Sequence, residues 1–515
     1  MKRLCDLVAQ VPGIEVRQGH LDLPVAGITA DSRQVEAGYL FVAWKGHQKD
    51  GHDYIPQAIE RGAVALLTEI PVEVPAHITL LQAQRGREAY AHLSAAWFEH
   101  PARHLRIVGV TGTNGKSSTA YYLYQLLRGL GYRTGLIGTV FCLADEEKLP
   151  ATLTTPDSYE LHRLFRHFVE KGITHVAMEV SSIALDQHRT AGIDFAGAIF
   201  TNLSHDHLDY HGTFIAYRDA KKRLFDGLSR EAFALTNVDD RHGLFMLQNT
   251  AAHRYGYTVE SKGDFELRLR EATLWGIEYS LGVRYGEIQR KGANMPMLIE
   301  ETGPLTAPLL GRFQAYNLLA AVGAAFLLEA SRKSSQGELH TLWAELARLS
   351  TLLQTLPGRL EPIPLGEGRV GLVDYAHTPD AVEKVLEALR PLVPNGGKLI
   401  TVLGAGGDRD RSKRGPMAAA AARLSDAVIL TSDNPRSEDP LLILQEMNAG
   451  VPFALRSRVE MIPDRAEAIK VAVQLSPPHS LIAVLGKGHE TYQEIHGVKY
   501  PFDDRKVLQS LAYAD

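Results

Sequence analysis

The segment Val110-Thr111-Gly112-Thr113-Asn114-Gly115-Lys116-Ser117-Ser118 constrains this chain more than any other. Leu105, Ile107, Val108 and Val110 lead into it as a buried strand, and Tyr121, Leu123, Leu126 and Leu127 follow at helical spacing. A strand that feeds a helix through glycines belongs to an α/β sheet. The glycines let successive N–H groups converge on one point, and the helix N-terminus adds partial positive charge there. Lys116 can then reach terminal phosphates and the Ser117 hydroxyl can ligate Mg2+, so the segment predicts binding of a nucleoside triphosphate. One residue departs from the generic pattern: Val110 stands where a glycine is usual. The competing reading, a surface turn that happens to contain Gly-Lys-Ser, is disfavoured by the strand and helix on either side.

A chain of 515 residues is long enough for about three domains. Short strand-like runs around Ile28 and Leu40-Phe41-Val42, and a helix–turn–strand pattern from Tyr54 to Leu67, suggest a small α/β unit over 1–100. Strands and helices alternate over 101–334, and the runs His175–Met178 and Ala196–Phe200 read as buried parallel strands of a doubly wound sheet. The polar stretch Ser331–Gly337 suggests the next boundary. A Rossmann-like unit follows over 335–515, with strands at Val370–Val373, Leu399–Leu403, Ala427–Leu430 and Leu481–Leu485 and helices at Ala381–Leu389 and Ala466–Leu475. The net charge of −5 offers no basic footprint for nucleic acid. Cys5 and Cys142 are the only cysteines, too few for a disulfide framework or a zinc cluster, and fit a reducing cytoplasm. No apolar core follows Lys2-Arg3 as in a signal peptide, and Leu318–Leu328 is too short for a bilayer, so a buried helix is expected there and no membrane partner.

Three features of the middle region carry chemistry. Glu179 ends a strand on the side where such sheets bind ligands, and suits either a Mg2+ ligand or the cap of the next helix. His205, Asp206, His207, Asp209 and His211 crowd one loop, a density suited to a divalent metal or a charged substrate. In the helix after it, Tyr217, Lys221, Leu224 and Leu228 share one face, so Lys221 lies on the apolar stripe while Lys222 points elsewhere. A buried amine is costly unless paired or chemically altered. The alternative is a lysine snorkelling out of the core.

In this order the motifs resemble the Mur ligases of peptidoglycan synthesis, from Asp31-Ser32-Arg33 to Gly486-Lys487-Gly488-His489-Glu490. The resemblance implies three domains: one for the UDP end, a central ATPase, and a Rossmann-like one that brings an amino acid. It implies UDP-sugar contacts at Ser32, His47, Gln48 and Lys49, and sugar-peptide contacts at Thr154, Thr155, Ser181, Gln187 and Arg189. Gly112 to Ser118, with Asn317 and Arg359, would hold ATP. Ser117, Glu179 and His207 would ligate Mg2+, two ions being expected, and Lys221 matches the family lysine that is carbamylated and joins them. Lys116, Lys221 and His207 would be catalytic. Asp433-Asn434-Pro435-Arg436 matches the signature for meso-diaminopimelate, with Arg409, Gly486 and Glu490 beside it. An arginine after a rigid Asn-Pro turn presents a planar fork suited to a carboxylate. Ser117-Ser118 replaces the more usual threonine pair, and Leu153 stands where an asparagine is often found.

The implied reaction is ATP-dependent addition of meso-diaminopimelate to UDP-MurNAc-L-Ala-D-Glu through an acyl phosphate, in the cytoplasm, by a monomer. An L-lysine-adding member would share everything except the carboxylate-reading arginine. A folate polyglutamate ligase would lack the UDP-binding unit, and a nucleotide-switched scaffold would make no amide.

Overall fold

The computed structural model describes residues 1–46, 49–150, 153–286 and 298–512. Three sheets each carry their own core. In the first, the strands run Ile14–Gln18, Thr79–Ala83, Ala65–Thr68, Tyr39–Val42, Gly27–Thr29 across the sheet, parallel except for the first pair. Its helix Gly86–Trp97 lies against Ser158–Glu170 of the second unit, and the rings of Phe98 and Tyr159 meet there at 5.0 Å.

The second sheet sets the position of the phosphate loop. Its parallel strands lie in the order Thr134–Ile137, His175–Glu179, Arg106–Thr111, Phe195–Phe200, Phe233–Asn237, His253–Thr258, Phe265–Thr273. The expected strands at 175–178 and 196–200 are thus parallel and buried, as near-continuous apolar runs require when both faces are covered. From Arg106–Thr111 the chain builds first to one side and later to the other. Its carboxyl end is therefore a topological switch point, where open α/β sheets hold ligands. Beyond Phe265–Thr273 the sheet continues antiparallel through Gly276–Tyr285, Leu298–Glu301 and Leu305–Ala307, an extension the sequence patterns did not reveal.

The apolar stretch at 318–328 lies inside the helix Arg312–Ala330, which has no polar face because strands and the helix Lys116–Gly129 cover it. That helix is long and apolar enough to cross a membrane, but it is a core element of the second unit. The next helix, Gln336–Ser350, begins at a capping box of Ser335 and Glu338. It sends Leu339, Leu342, Trp343 and Leu346 into the same core, with Trp343 5.6 Å from Phe326. The polar stretch 331–337 therefore marks a turn between two helices of one unit, and the break expected at 334–335 moves past Ser350.

The third sheet begins with Glu361–Pro364 and runs on through Val370–Asp374, Leu481–Leu485, Leu399–Ala405, Ala427–Ser432 and Val459–Met461, parallel except for its first pair. All four expected strands lie within observed ones, and the helices are Pro379–Leu389 and Arg465–Gln474. A hairpin, Tyr492–Ile495 with Val498–Pro501, was not foreseen.

Candidate active site

The phosphate loop owes its shape to two glycines. Gly112 has φ +150° and Gly115 φ +84°, and a Cβ at either would collide with Thr201 Oγ1 or Asn317 Oδ1 respectively. The neighbouring loop holds the turn: Thr113 N–H donates to Asn202 O (2.8 Å), Asn114 N–H to Asn202 Oδ1 (3.0 Å), and Thr201 Oγ1 to Asn114 O (2.7 Å). Val110 is fully buried in a strand that continues to Thr111, so the turn starts only at Gly112 and a valine suits its place. Lys116 lies back across the turn, its Nζ donating to Gly112 O (3.0 Å) and Thr113 O (2.7 Å). Burial pushes its amine below the usual lysine range, against the fields of Glu179 and Asp206. Ser117 and Ser118 are buried in the first turn of the helix. Arg359 makes a long contact to Ser117 Oγ (3.5 Å) while lying over the Tyr375 ring at 4.6 Å.

Glu179 is a buried carboxylate at its strand end that accepts from Thr139 N–H (2.7 Å) and Thr139 Oγ1 (3.2 Å). It does not cap the next helix; Ser181 does so, accepting from Ala184 N–H (3.2 Å). Lys221 is 1% exposed and does not reach solvent. Its Nζ donates to Gly112 O (2.7 Å) and lies 4.5 Å from the centre of the Tyr217 ring. Among the described residues no carboxylate stands within ion-pair distance of it. Burial and the field of Lys116 drive its amine well below the lysine range, opposed by Asp206. Lys222, expected to point away, is buried as well, paired with Asp226 beside the Phe245 ring.

The dense His/Asp loop separates in space. His207 takes a left-handed conformation (φ +52°), which splays its neighbours. His205 and Asp209 are exposed, His211 Nε2 pairs with Ser182 Oγ (3.0 Å), and Asp206 lies 3.5 Å from His207 Nε2. Among the described residues no three His, Cys, Asp or Glu side chains converge as a metal cage. Burial raises the Asp206 carboxyl, but His207, His377, Lys413 and Lys116 together hold it below its ordinary value. Lys116 feels Glu179 and Asp206, and His207 and Lys221 each feel Lys116 and Asp206, so the loop sits among facing charges.

The residues expected to meet the sugar-peptide form one network against Glu179. Thr155 Oγ1 donates to Glu179 O (2.9 Å) and accepts from Ser181 N–H (3.0 Å). Arg189 donates to Thr155 O (2.8 Å) and Gln187 Oε1 (2.7 Å), and since the one Thr139 hydroxyl proton goes to Glu179, Thr154 Oγ1 donates to Thr139 Oγ1 (3.0 Å). In the first unit, Ser32 is buried and donates to Gln57 Oε1 (2.7 Å). It lines a cavity of about 500 Å³ together with Trp44, Lys49 and Tyr54. His47 and Gln48 lie outside the described residues.

At the other end, Asn434 Oδ1 accepts from Lys487 Nζ (3.1 Å) and from Glu494 N–H (2.9 Å). Its Nδ2 must therefore donate to Glu490 Oε2 (2.8 Å), which also takes a bond from Lys487 (2.9 Å). Gly486 (φ +114°) brings its backbone against Asp433, and Arg436 donates to Gly407 O (2.7 Å) beside the exposed Arg409. Pro435 holds the turn between Asn434 and Arg436. Lys487, fully buried among Asp433, Asn434 and Glu490, is a site residue that the motif contained and the sequence reading passed over.

Comparison with known proteins covers all three units. Residues 24–105 match the catalytic domain of the Mur ligase family, 110–325 the Mur ligase middle domain, and 358–488 the Mur ligase glutamate ligase domain. The chain is 43% identical over 508 residues to a UDP-N-acetylmuramoyl-L-alanyl-D-glutamate–2,6-diaminopimelate ligase of Cytophaga hutchinsonii, covering 98% of each. It is 42% identical over 510 residues to the ligase of the same name from Bacteroides fragilis, covering 99% of each. A solved structure of a ligase of that name superposes with a TM-score of 0.66 at 32% identity, covering 100% of this chain and 99% of the other.

Proposed function

This chain belongs to the Mur ligase family, and from that premise we infer that it is an ATP-dependent ligase joining meso-2,6-diaminopimelate to UDP-MurNAc-L-Ala-D-Glu. The observation that carries the choice of acceptor is Arg436, paired with Glu494 at the carboxyl edge of the third sheet, two residues after the Asn434 that binds Glu490 and Lys487. Diaminopimelate differs from lysine by a distal carboxylate, and a guanidinium fork beside carboxylates fits a zwitterionic end better than a bare ammonium. A folate-type ligase would have no use for the Ser32 cavity.

The D-Glu side-chain carboxylate attacks the γ-phosphorus of ATP, giving an acyl phosphate and ADP. The diaminopimelate amine then adds to the acyl carbon. It loses a proton, and the tetrahedral adduct expels inorganic phosphate to leave the amide. Lys116 neutralises charge on the transferring phosphoryl group, and the N–H groups of the loop hold the phosphates. We assign two Mg2+ ions to Ser117, Glu179, His207 and a carbamate on Lys221. Bound there, they would offset the charge that builds up between nucleotide and carboxylate. The fit rests on the buried Lys221 amine, which has no carboxylate within ion-pair distance among the described residues and would become an oxygen ligand once carbamylated. Thr154, Thr155, Ser181, Gln187 and Arg189 position the peptide end, and the Ser32 cavity the uridine end. We place the enzyme in the cytoplasm as a monomer.

The test is phosphate release with UDP-MurNAc-L-Ala-D-Glu and ATP, comparing acceptors. Release with diaminopimelate and little with L-lysine is expected. Equal stimulation by both would overturn the acceptor assignment.

A further inference from the structure

One carboxylate of the third unit touches both loops of the nucleotide site. Asp380 lies in the first turn of the helix Pro379–Leu389. Its Oδ2 accepts from Asn114 Nδ2 in the phosphate loop (2.8 Å) and from Ser204 Oγ in the loop leading to Asp206 and His207 (3.0 Å). Lys384, one turn along the same helix, donates to the same oxygen (3.1 Å). The two loops are themselves joined, since Ser204 N–H donates to Thr113 Oγ1 (3.0 Å). We propose that Asp380 is a positioning residue that latches the amino-acid-binding unit onto the phosphate loop, so that the acceptor amine arrives only when Asn114 and Ser204 are both in place. This rests on the ligase reading above.

Four features support the assignment. The side chain starts from a fixed point: Thr378 caps the helix through Ala381 N–H (3.3 Å), Pro379 follows, and the helix N-terminus accommodates the negative charge. Bonds to an ionised acceptor are stronger than neutral ones, so a single carboxylate can bias two domains. The Asp380 side chain is 29% exposed, so water can replace its partners when the domains part. A latch that opens each cycle needs that exchange, whereas a dry, buried pair would be a permanent tie. The segment leading to Asp380 also faces the loop, because Arg359 lies over Tyr375 while contacting Ser117.

The experiment uses the full chain as wild type, Asp380→Ala, Asp380→Asn and Glu387→Ala. Three quantities are measured: affinity for a non-hydrolysable ATP analogue with Mg2+, kcat and KM for diaminopimelate, and compactness by solution X-ray scattering with and without the analogue. Asp380→Ala is expected to bind the analogue within about twofold of wild type. Its kcat should fall by about 10- to 100-fold, the loss of two charge-assisted bonds, and the compaction induced by the analogue should weaken. Asp380→Asn, which keeps an accepting oxygen, should recover part of both, and Glu387→Ala, at an exposed position of the same helix, should match wild type. Unchanged kcat and compaction in Asp380→Ala would overturn the latch. So would a loss of analogue affinity as large as the loss of kcat, since Asp380 would then serve the nucleotide alone. If the wild type makes no amide from diaminopimelate, the ligase reading fails, while scattering and affinity still report on the latch.

Discussion

Lys116 and Lys221 donate to the same oxygen, the carbonyl of Gly112, at 3.0 and 2.7 Å. The two amines converge on one neutral acceptor, and the charge of Lys116 disfavours ionisation of the buried Lys221. The nucleotide phosphates answer the charge of Lys116, which reaches over the loop. Lys221 comes from a different helix, Phe214–Asp226. Converting its amine to a carbamate reverses the charge and turns repulsion into attraction. The carbamate nitrogen keeps one N–H, so the bond to Gly112 survives the change.

Lys221→Ala is therefore expected to lose at least about 1000-fold in kcat, the scale for removing an electrostatic partner of the transferring group. A short carboxylate such as formate should restore part of it. Lys221→Arg keeps a positive charge but cannot be carbamylated under these conditions, and should be as inactive as the alanine variant. The check is phosphate release with and without added formate. Full activity in either variant would rule out the carbamate.

Gly115→Ala tests the loop by geometry alone. The new methyl meets Asn317 Oδ1 at a backbone angle that side chains rarely adopt. Nucleotide affinity should drop by about 10-fold or more. The free protein should keep its thermal midpoint within a few degrees, since the strand and helix on either side stay intact. Calorimetric titration with the ATP analogue and a melting curve separate the two effects.

The parts of this site that were legible in the sequence are local ones. Gly112 to Ser118 encode their own turn, and the 217, 221, 224, 228 spacing placed Lys221 inside before any contact was known. Asp380 was illegible because its partner Asn114 is 266 residues away in the chain and in another unit. Lys487 looked like one more motif residue until three acceptors surrounded it. The His/Asp loop was legible only as a cluster suited to a divalent metal or a charged substrate; which members face the phosphate loop is set in space, where His205 and Asp209 are exposed and Asp206 and His207 feel Lys116. Polar residues between helices mark a turn whether or not a domain ends there, so the stretch 331–337 could not reveal that Trp343 beyond it shares a core with Phe326 before it.

Glu329 gives a pH prediction outside the nucleotide site. Burial raises its carboxyl, but the His175 ring 3.4 Å away, the bond from Tyr132 and the charge of Arg106 outweigh it and bring the pKa down to about 2. A depressed carboxylate stabilises the fold above its unfolded pKa near 4.5, and that contribution disappears as pH falls toward 2. Glu329→Gln should therefore lower urea stability by on the order of 2 kcal/mol at pH 7. The gap from wild type should narrow steadily between about pH 4.5 and pH 2. A gap that stayed constant across this window would mean that Glu329 acts by packing rather than by charge.

Acceptor choice can be tested at Arg436 because most of its geometry is already committed. Its backbone is left-handed (φ +52°), a conformation held by Arg436 N–H donating to Glu494 O (3.0 Å) and by His496 N–H donating to Arg436 O (2.7 Å). Its Nε faces Glu494 (3.4 Å) and one terminal nitrogen is bound to Gly407 O, leaving the rest of the fork for a ligand. The hairpin Tyr492–Pro501 thus aims the guanidinium. Arg436→Ala should raise KM for diaminopimelate by about 10- to 100-fold, the weight of a charge-assisted pair. L-lysine has no distal carboxylate to lose, so its kcat/KM should change by less than about threefold. Arg436→Lys should not rescue the loss, because a point charge cannot satisfy Glu494, Gly407 and a carboxylate at once. Steady-state kinetics with both amino acids decide the matter: a parallel fall for lysine and diaminopimelate would assign Arg436 to the fold of the turn, and a selective fall assigns it to recognition.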